Sequence, residues 1–535
     1  MGYSLVQIIA LIMLFGLAAN LFLGSWFFQS VGAALTGVVM VGVGVTLLRR
    51  WFRQNPAKFH GEGWRIGNAV EISDPNKPVI VNDAIVPAAY MSLGALCLGS
   101  PKAGKTESVL LGILDQLDAF WPDSGYAVFE GKGDIDIYKK KVASTGPTDY
   151  FFSSELAGTH TTNLMQGQAS DVVDRLAHSL IGTTVSTTFY SDEQLSKLLL
   201  VVPILKGLGV PVNLRDLYVA VASEDAETDL LRQAKAAGVD PVALSLYADW
   251  IKSDDHLARR GALQGLLNRL FPFVYGPHTD RLNDYHPDIR VDDIVAYGKS
   301  VYFHLPLTKF SKTVAIALVE MFHVEARKRQ LAGADGSRPF PLFMDDWGDF
   351  FHANFDPFSA RCRSAAMPLF FSFQSIGQLE NVGPTFKDVL DDTIANKIVL
   401  RVMGDSTSRY AARLMGEYER VEVGSSDLGG RDGVSLMNRT IPRLSAQDFK
   451  QLSPGEAYLS TLMEVDGKTL NPIFKTRLPL PDFTDWQAVS MPAPAGKPAA
   501  GGLNFWLKYM NPAALTALQA DAVRVANPEQ YREVV

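Results

Sequence analysis

The chain has 535 residues, and its 50 Lys and Arg against 57 Asp and Glu give a formal net charge of −7. Hydrophobic residues make up 47% and charged residues 20%, which excludes a wholly disordered protein, and the length predicts roughly three domains. The 2 cysteines exclude a disulfide framework and fit a reducing compartment. The acidic balance argues against a chain that coats the outside of nucleic acid.

The N-terminal end is strongly apolar. No Lys, Arg, Asp or Glu precedes Arg49, and two apolar runs, 5–28 and 31–48, are each close to the ~20 residues that span a bilayer as a helix. A basic cluster follows at Arg49, Arg50, Arg53 and Lys58, and the positive-inside rule places it in the cytoplasm. We therefore expect a transmembrane anchor over residues 1–50 that contacts the lipid bilayer. A cleaved secretory signal, or one span followed by an interfacial helix, is the alternative.

The rest of the chain has an α/β pattern. After a linker with a small β element at 51–90, short apolar strands alternate with longer amphipathic stretches, which is typical of a parallel sheet. The candidate strands are Leu93–Leu98, Tyr126–Glu130, Ser300–Leu305, Pro341–Met344, Pro368–Phe373 and Lys397–Val402.

Between these strands lies a stretch that predicts only helices. It covers 166–295 and includes the candidate helices Asp192–Leu208 and Leu257–Leu270. We therefore expect an α/β domain formed by 91–165 and 296–490, with an all-α domain inserted at 166–295. The Pro/Ala/Gly-rich run at 491–502 predicts a flexible linker, so 491–535 is expected to be a linker and C-terminal tail.

A phosphate-binding loop follows the first candidate strand. The run GSPKAGKT matches GxxxxGK[ST] between a predicted strand and a predicted helix. Its backbone N–H groups and the helix N-terminus can hold phosphates, Lys105 can reach the β- and γ-phosphates, and Thr106 can hold Mg²⁺. The expected ligands are ATP and Mg²⁺, with the nucleotide bound by Gly99, Ser100, Pro101, Lys102, Ala103, Gly104, Lys105 and Thr106.

An apolar strand that ends in two carboxylates supplies the acidic groups that such a loop needs. Asp345 is predicted to hold the metal together with Thr106, and Asp346 to orient or deprotonate the attacking water. Asp349 is a weaker alternative for the base. The simpler interpretation is that the two aspartates cap a helix.

Two further groups surround the strand Pro368–Phe373. Gln374 follows the strand, and its amide can sense the γ-phosphate from the tip of a neighbouring strand. Arg361 and Arg363 precede the strand, and a guanidinium presented to a neighbouring subunit's ATP would stabilise the charge of the transition state. A surface glutamine and a surface ion pair are the corresponding simpler interpretations.

The order and spacing of these motifs resemble the type IV coupling proteins, the TraG/TraD-type membrane ATPases of conjugation and type IV secretion systems. The run from Glu130 to Asp134, EGKGD, resembles the family's second signature, usually Asp-Pro-Lys-Gly-Glu, and implies a nucleotide contact for Lys132. Arg363 precedes Gln374 by the separation found between the family's proposed arginine finger and its glutamine. The resemblance implies that the catalytic residues are Lys105, Asp346, Gln374 and Arg363.

The resemblance also implies a fold and a function. The fold would be a RecA-like P-loop domain with an inserted all-α domain, preceded by two transmembrane helices in the bacterial inner membrane, with the bulk of the chain cytoplasmic. The function would be that of an ATPase that recruits a DNA–protein (relaxosome) or effector protein substrate and drives it into a secretion channel. The implied partners are further copies of the chain in a hexamer, inner-membrane secretion components and single-stranded DNA.

Some residues depart from the family pattern. Asp346 stands where the family has a longer glutamate, the acids Glu130 and Asp134 are exchanged within the second signature, and almost no segment separates the two apolar runs. A septal-type double-stranded-DNA translocase and a non-motor nucleotide-binding membrane scaffold are the alternative functions. The sequence leaves open whether the cargo is DNA, protein or both, and whether Arg361, Arg363 or Arg401 acts across a subunit boundary.

Overall fold

A computed structural model of the chain describes residues 62–510 apart from 76, 183–188, 253–255, 277, 335, 353, 384, 428–431, 466–467, 493 and 495–501. In this part of the chain no helix is both long and apolar enough to cross a membrane. The 23-residue helix Lys309–Leu331, for example, carries charged residues along its length, and charges are costly inside a bilayer. This finding contradicts the inner-membrane, multi-pass localisation predicted from the sequence. The two runs on which it rested, 5–28 and 31–48, lie outside the described residues.

An 11-stranded sheet forms the centre of the described chain, in the order β2-β1-β15-β12-β9-β3-β8-β7-β4-β6-β5. The strands from β9 to β5 in this order are parallel, whereas β12, β15, β1 and β2 continue the sheet in antiparallel fashion. Two hairpins, β10–β11 and β13–β14, lie outside it. The strands are β1 Gly63–Glu71, β2 Val79–Pro87, β3 Ala95–Leu98, β4 Tyr126–Glu130, β5 Tyr150–Ser153, β6 Ser300–His304, β7 Leu342–Asp345, β8 Leu369–Phe373, β9 Asn396–Val399, β10 Glu417–Asp427, β11 Asp432–Pro442, β12 Glu456–Ser460, β13 Met463–Val465, β14 Lys468–Leu470 and β15 Ile473–Arg477.

The short central strands are apolar because helices cover both faces of the sheet. Every residue of β3, β7 and β8 is buried. All six candidate strands of the sequence analysis are confirmed, with ends that differ by a few residues.

The β element expected at 51–90 is not a separate unit. Strands β1 and β2 extend the main sheet, because β1 pairs with β15 through partners such as Val70 and Lys475. That pairing joins segments about 400 positions apart, which local sequence patterns do not reveal.

Helices pack on both sides of the sheet and form a separate run between β5 and β6. The α-helices are α1 Ala88–Met91, α2 Leu111–Asp115, α3 Leu117–Phe120, α4 Ile135–Thr145, α5 Ala169–Leu176, α6 Phe189–Gly207, α7 Leu214–Ala222, α8 Glu224–Ala236, α9 Pro241–Lys252, α10 His256–Val274, α11 Val291–Tyr297, α12 Lys309–Leu331, α13 Phe355–Ser364, α14 Ile376–Glu380, α15 Phe386–Thr393, α16 Asp405–Leu414, α17 Ala446–Lys450 and α18 Phe505–Tyr509. Single π-helical turns lie at Lys105–Leu110 and Ala177–Ile181, and 3₁₀ turns at Thr279–Leu282, Trp347–Phe350 and Trp486–Ala488.

The run from α5 to α10 forms a helical region with its own apolar contacts. Leu198, Val201 and Leu205 of α6 are wholly buried, as are Leu217 of α7 and Leu270 of α10. The predicted helices Asp192–Leu208 and Leu257–Leu270 correspond to α6 and α10. Because the region is inserted between β5 and β6, which pair at one edge of the sheet, it is joined to the sheet at that edge. The division of the chain into domains stays a prediction.

The end of the described chain crosses the molecule. After β15, Phe483 and Met491 pack against the core on the side of the sheet that carries α2, α3 and α4. Residues 502–510 then pack on the helical region, with α18 against α7. The stretch expected at 491–535 to be a flexible linker and tail therefore contains a packed part, and 495–501 and 511–535 lie outside the described residues.

Candidate functional site

The phosphate-binding loop joins β3 to the π-helical turn that begins at Lys105. Two of its residues have left-handed backbone, Lys102 with φ 59° and Gly104 with φ 108°. A Cβ on Gly104 would lie 2.9 Å from Ser108 Oγ, so both the backbone and the space at this position require glycine. The sequence therefore folds here into the tight loop that the motif predicts.

Lys105 lies over its own loop. Its side chain is only 5% exposed, and its Nζ donates a hydrogen bond to the carbonyl oxygen of Gly99 at 2.9 Å. The same Nζ is 3.5 Å from Asp346 Oδ1. A buried ammonium group needs such partners, because an unpaired charge would be costly at this depth.

The carboxylate of Asp345 is bonded on both oxygens. Thr106 Oγ1 donates to Asp345 Oδ2 at 2.6 Å, and Ser372 Oγ donates to Asp345 Oδ1 at 2.8 Å. Burial and the neighbouring charge of Asp346 raise the pKa of Asp345 above its usual value. A hydroxyl and a carboxylate in contact form a set of hard oxygen donors that suits Mg²⁺, which accepts few protein ligands and takes the remainder from water and phosphates. Thr106 and Asp345 thus fit the metal predicted from the sequence.

Asp346 forms a second cluster beside this pair. Its backbone is left-handed, with φ 47°, and its N–H donates to Ser372 Oγ at 2.8 Å. Gln374 Nε2 donates to Asp346 Oδ1 at 3.1 Å, which is the same oxygen that faces Lys105. The chain therefore brings Lys105, Asp346 and Gln374 together, whereas Asp349 lies exposed in the 3₁₀ turn that follows.

The EGKGD loop follows β4 at the same carboxyl ends of the parallel strands. Glu130 is wholly buried and pairs in register with Asp345, and its carboxylate accepts the N–H groups of Lys132 at 2.8 Å and Gly133 at 2.9 Å. Burial and the charge of Asp345 raise the pKa of Glu130 to about 8. The side chain of Lys132 is exposed and its Nζ lies 3.3 Å from Asp134 Oδ2. Lys132 thus lies near the site, and its side chain forms an ion pair with Asp134 of the same loop.

Arg363 is not brought to this site. It is exposed in the last turn of α13, and it lines a cavity of about 480 Å³ beside Lys397 and Tyr410. This cavity lies at the amino ends of β8 and β9, whereas the phosphate-binding loop follows the carboxyl end of β3. Of the other two candidate arginines, Arg361 contacts His323, and the carbonyl oxygen of Arg401 accepts the N–H of Ser100 at 2.8 Å.

Sequence reasoning missed two residues at the site. Ser372 bridges Asp345 and Asp346, and its signal was a lone hydroxyl within the apolar strand LFFSF. Glu130 closes the loop that carries Lys132, a role that the motif alone did not indicate. A buried acid at the end of an apolar strand was the available sign of that role.

These features define a class of protein. A strand–loop–helix with a buried lysine, followed two strands away in the sheet by a strand that ends in a carboxylate bonded to the loop threonine, belongs to the P-loop nucleotide-binding folds. No protein-family model and no curated protein matches the chain.

Solved structures of one protein share the fold. The unbound monoclinic form of the bacterial conjugative coupling protein TrwBdeltaN70 has a TM-score of 0.56 and 16% identity, over 83% of this chain and 92% of that one. The plasmid coupling protein TrwB with the ATP analogue ADPNP gives 0.55 and 16%, over 82% and 98%. TrwB with ADP and Mg²⁺ gives 0.52 and 16%, over 75% and 88%.

The resemblance to type IV coupling proteins is therefore confirmed at the level of the fold, as is the mixed α/β class with a parallel-rich sheet. Among these structures of TrwB, one holds the ATP analogue ADPNP and another holds ADP and Mg²⁺.

Proposed function

We propose that this chain is an ATPase of the coupling type, which hydrolyses ATP to drive a DNA–protein or protein substrate into a type IV secretion channel. The observation that carries the proposal is the contact of Thr106 with Asp345, beside the cluster of Lys105, Asp346 and Gln374. The coupling-protein fold supports the choice of this ATPase type. By the same likeness, we propose that the working form is a homo-oligomer, a hexameric ring, that acts with secretion components and takes single-stranded DNA.

The loop and Lys105 would bind the nucleotide. Backbone N–H groups of 99–106 would hold the phosphates, and Lys105 would exchange the carbonyl oxygen of Gly99 for phosphate oxygens. Thr106 and Asp345 would hold Mg²⁺, which when bound neutralises charge on the phosphates. Lys132, on the neighbouring loop, would contact the nucleotide from the same edge of the sheet.

Asp346 and Gln374 would act on the attacking water. The water oxygen forms a bond to the γ-phosphorus, the bond from that phosphorus to the β–γ bridging oxygen breaks, and Asp346 takes the proton of the water. Asp346 is shorter than the family's glutamate, but its backbone is fixed by the Ser372 hydroxyl and its carboxylate by Gln374. These contacts hold the shorter side chain in one place, which is what a base requires.

The test compares ATP turnover by the full chain with and without single-stranded DNA over a series of salt concentrations. We expect DNA to stimulate turnover, and the stimulation to weaken as salt rises, because phosphate contacts release counterions. The Lys105→Ala variant is expected to lose turnover by about a hundredfold or more under every condition, because the phosphate-facing charge is lost.

Lys235→Ala is the matched control, since Lys235 is exposed on α8 and outside the site. It should hydrolyse ATP as the unmodified chain does. Unchanged turnover in Lys105→Ala would refute the nucleotide site. Turnover that responds to a secreted protein but at no salt concentration to DNA would assign the cargo to protein.

A further inference from the structure

Residues 502–510, with the sequence GLNFWLKYM, lie as a short peptide on the helical region. Helix α18 contacts α7 and α8. The side chain of Phe505 is wholly buried there, whereas that of Leu507 is 80% exposed. One side of the peptide is thus inserted between helices and the other faces outward.

The peptide lies in a groove formed by α7, α8 and Tyr285, where its backbone N–H groups are hydrogen-bonded. Asp216 is wholly buried in α7, and its Oδ1 accepts the N–H of Phe505 at 2.9 Å and the hydroxyl of Tyr285 at 3.0 Å. The Tyr285 hydroxyl in turn accepts the N–H of Asn504 at 3.0 Å. The N–H of Leu503 donates to a backbone carbonyl oxygen of the helical region at 3.0 Å. Main-chain bonds combined with a pocket for one side chain are the usual means by which proteins hold linear peptides.

Side chains near the end of the peptide also form hydrogen bonds with the groove. Asp229 of α8 accepts a hydrogen bond from Lys508 Nζ at 2.6 Å and from the Tyr509 hydroxyl at 2.5 Å. At the other end, a Cβ on Gly502 would lie 2.2 Å from the ring of Tyr285. The groove therefore fits a glycine, then an aromatic residue that is buried, then a basic–aromatic pair.

The connection between this peptide and the sheet has the composition of a linker. Met491 packs against the core beside the sheet, and the run MPAPAGKPAAG at 491–501 leads from there to Gly502. Segments of this composition act as spacers between the parts that they join. The contacts of 502–510 with the groove therefore hold the peptide in place.

We propose that the groove formed by α7, α8 and Tyr285 is a peptide-recognition site for a partner protein. Its ligand is a linear peptide with a glycine, a buried aromatic residue and a basic–aromatic pair, and the chain's own residues 502–510 fill the site until such a peptide displaces them. Displacement is feasible because α18 has only five residues, and so short a helix is marginal without its contacts. The inference does not depend on the nucleotide site.

The test uses full-length chains and a fluorescent peptide of the sequence GLNFWLKYM, with binding followed by fluorescence anisotropy. In Phe505→Ala and in Gly502→Ala the chain's own segment no longer fits, so both variants should bind the added peptide. The unmodified chain should bind it at least about tenfold more weakly, because a short tether holds the competing segment at millimolar effective concentration.

Three controls locate the binding. The Leu507→Ala chain should behave as the unmodified one, since Leu507 is exposed. A peptide with alanine in place of its phenylalanine should not bind the opened chains. Adding Asp229→Asn to Phe505→Ala should weaken binding several-fold. The proposal is overturned if neither opened chain binds the peptide better than the unmodified chain does, or if Asp229→Asn changes nothing.

Discussion

At the scale of single residues, the two acids Asp346 and Asp349, three positions apart, have different surroundings. Asp346 faces Lys105 and Gln374, whereas Asp349 is exposed. We expect Asp346→Asn to lower the turnover of ATP by about a hundredfold to ten-thousandfold while nucleotide still binds, because a general base contributes on that scale. Measurements of kcat and of nucleotide affinity for the purified variant check this.

Asp349→Asn is the matched control and should retain turnover within about twofold, as expected for an exposed side chain away from the reacting groups. The opposite result, with Asp349→Asn inactive and Asp346→Asn active, would move the base to the 3₁₀ turn.

The sequence predicted much of this site because its signals are local. The loop from Gly99 to Thr106, together with Asp345 at the end of β7 and Asp346 after it, follows from motif and strand pattern alone. The role of Ser372 did not follow, because a hydroxyl inside a strand bonds whichever strand lies next to it, and strand order is a long-range property.

At the scale of elements, a buried carboxylate joins three parts of the chain. Glu320 of α12 receives a hydrogen bond from Asn354 Nδ2 at 2.6 Å and lies 3.4 Å from His178 Nδ1, 3.5 Å from His323 Nδ1 and 3.5 Å from His352 Nε2. Burial acts against ionisation, but these hydrogen bonds hold the pKa of Glu320 far below its usual value. The bond to Glu320 raises the pKa of His178 above its usual value.

This cluster makes stability depend on pH. The pKa of His178 is raised above its ordinary value of 6.5 in the folded chain. The stability that the protonated His178 contributes is therefore fully present below pH 6.5 and is lost as the pH rises through the raised pKa. We expect Glu320→Gln to lower stability by about 1–3 kcal/mol at about pH 6, because hydrogen bonds to a charged group are lost. Its difference in Tm from the unmodified chain should narrow between about pH 6 and about pH 8.

Scanning calorimetry at a series of pH values measures that difference. Glu380→Gln serves as the control, since Glu380 is exposed at the end of α14 and should show a small difference at every pH. If the difference in Tm between Glu320→Gln and the unmodified chain widened as the pH rises, the interaction of Glu320 with protonated His178 would be contradicted.

At the scale of the whole molecule, the position of Arg363 bears on assembly. It lies at the amino ends of the parallel strands, whereas its own phosphate-binding loop lies at their carboxyl ends. Arg363 could therefore contact only ATP that is bound to another subunit. We expect Arg363→Ala to bind nucleotide and to lose about a thousandfold in turnover, the scale of an arginine finger.

Mixing Arg363→Ala with Lys105→Ala subunits tests this directly. In a ring, about a quarter of the boundaries would then join an intact loop to an intact arginine, and turnover should exceed the sum of the two separate variants. If the mixture is inactive while Arg401→Ala alone is impaired, Arg401 takes the role.

Long-range pairing is the part of the fold that local patterns did not predict. The parallel strands were predictable because each is a short apolar run between helices. The joining of β1 and β2 to the main sheet was not, since it depends on β15 far along the chain. The packing of 502–510 on the helical region was not predicted for the same reason. No local pattern around Asn504 and Phe505 indicates that they contact Tyr285 and Asp216, which lie more than 200 positions earlier.

The number of residues between Met491 and Gly502 limits how far the segment 502–510 can move away from the sheet. Gly502 follows Met491 by eleven positions, and a chain of that length spans at most about 40 Å when fully extended. If the segment is released, its first residue, Gly502, would therefore stay within that distance of Met491. If the groove binds a partner peptide as proposed, that peptide would have to displace a segment that stays tethered beside the groove, and the segment would rebind once the competitor leaves.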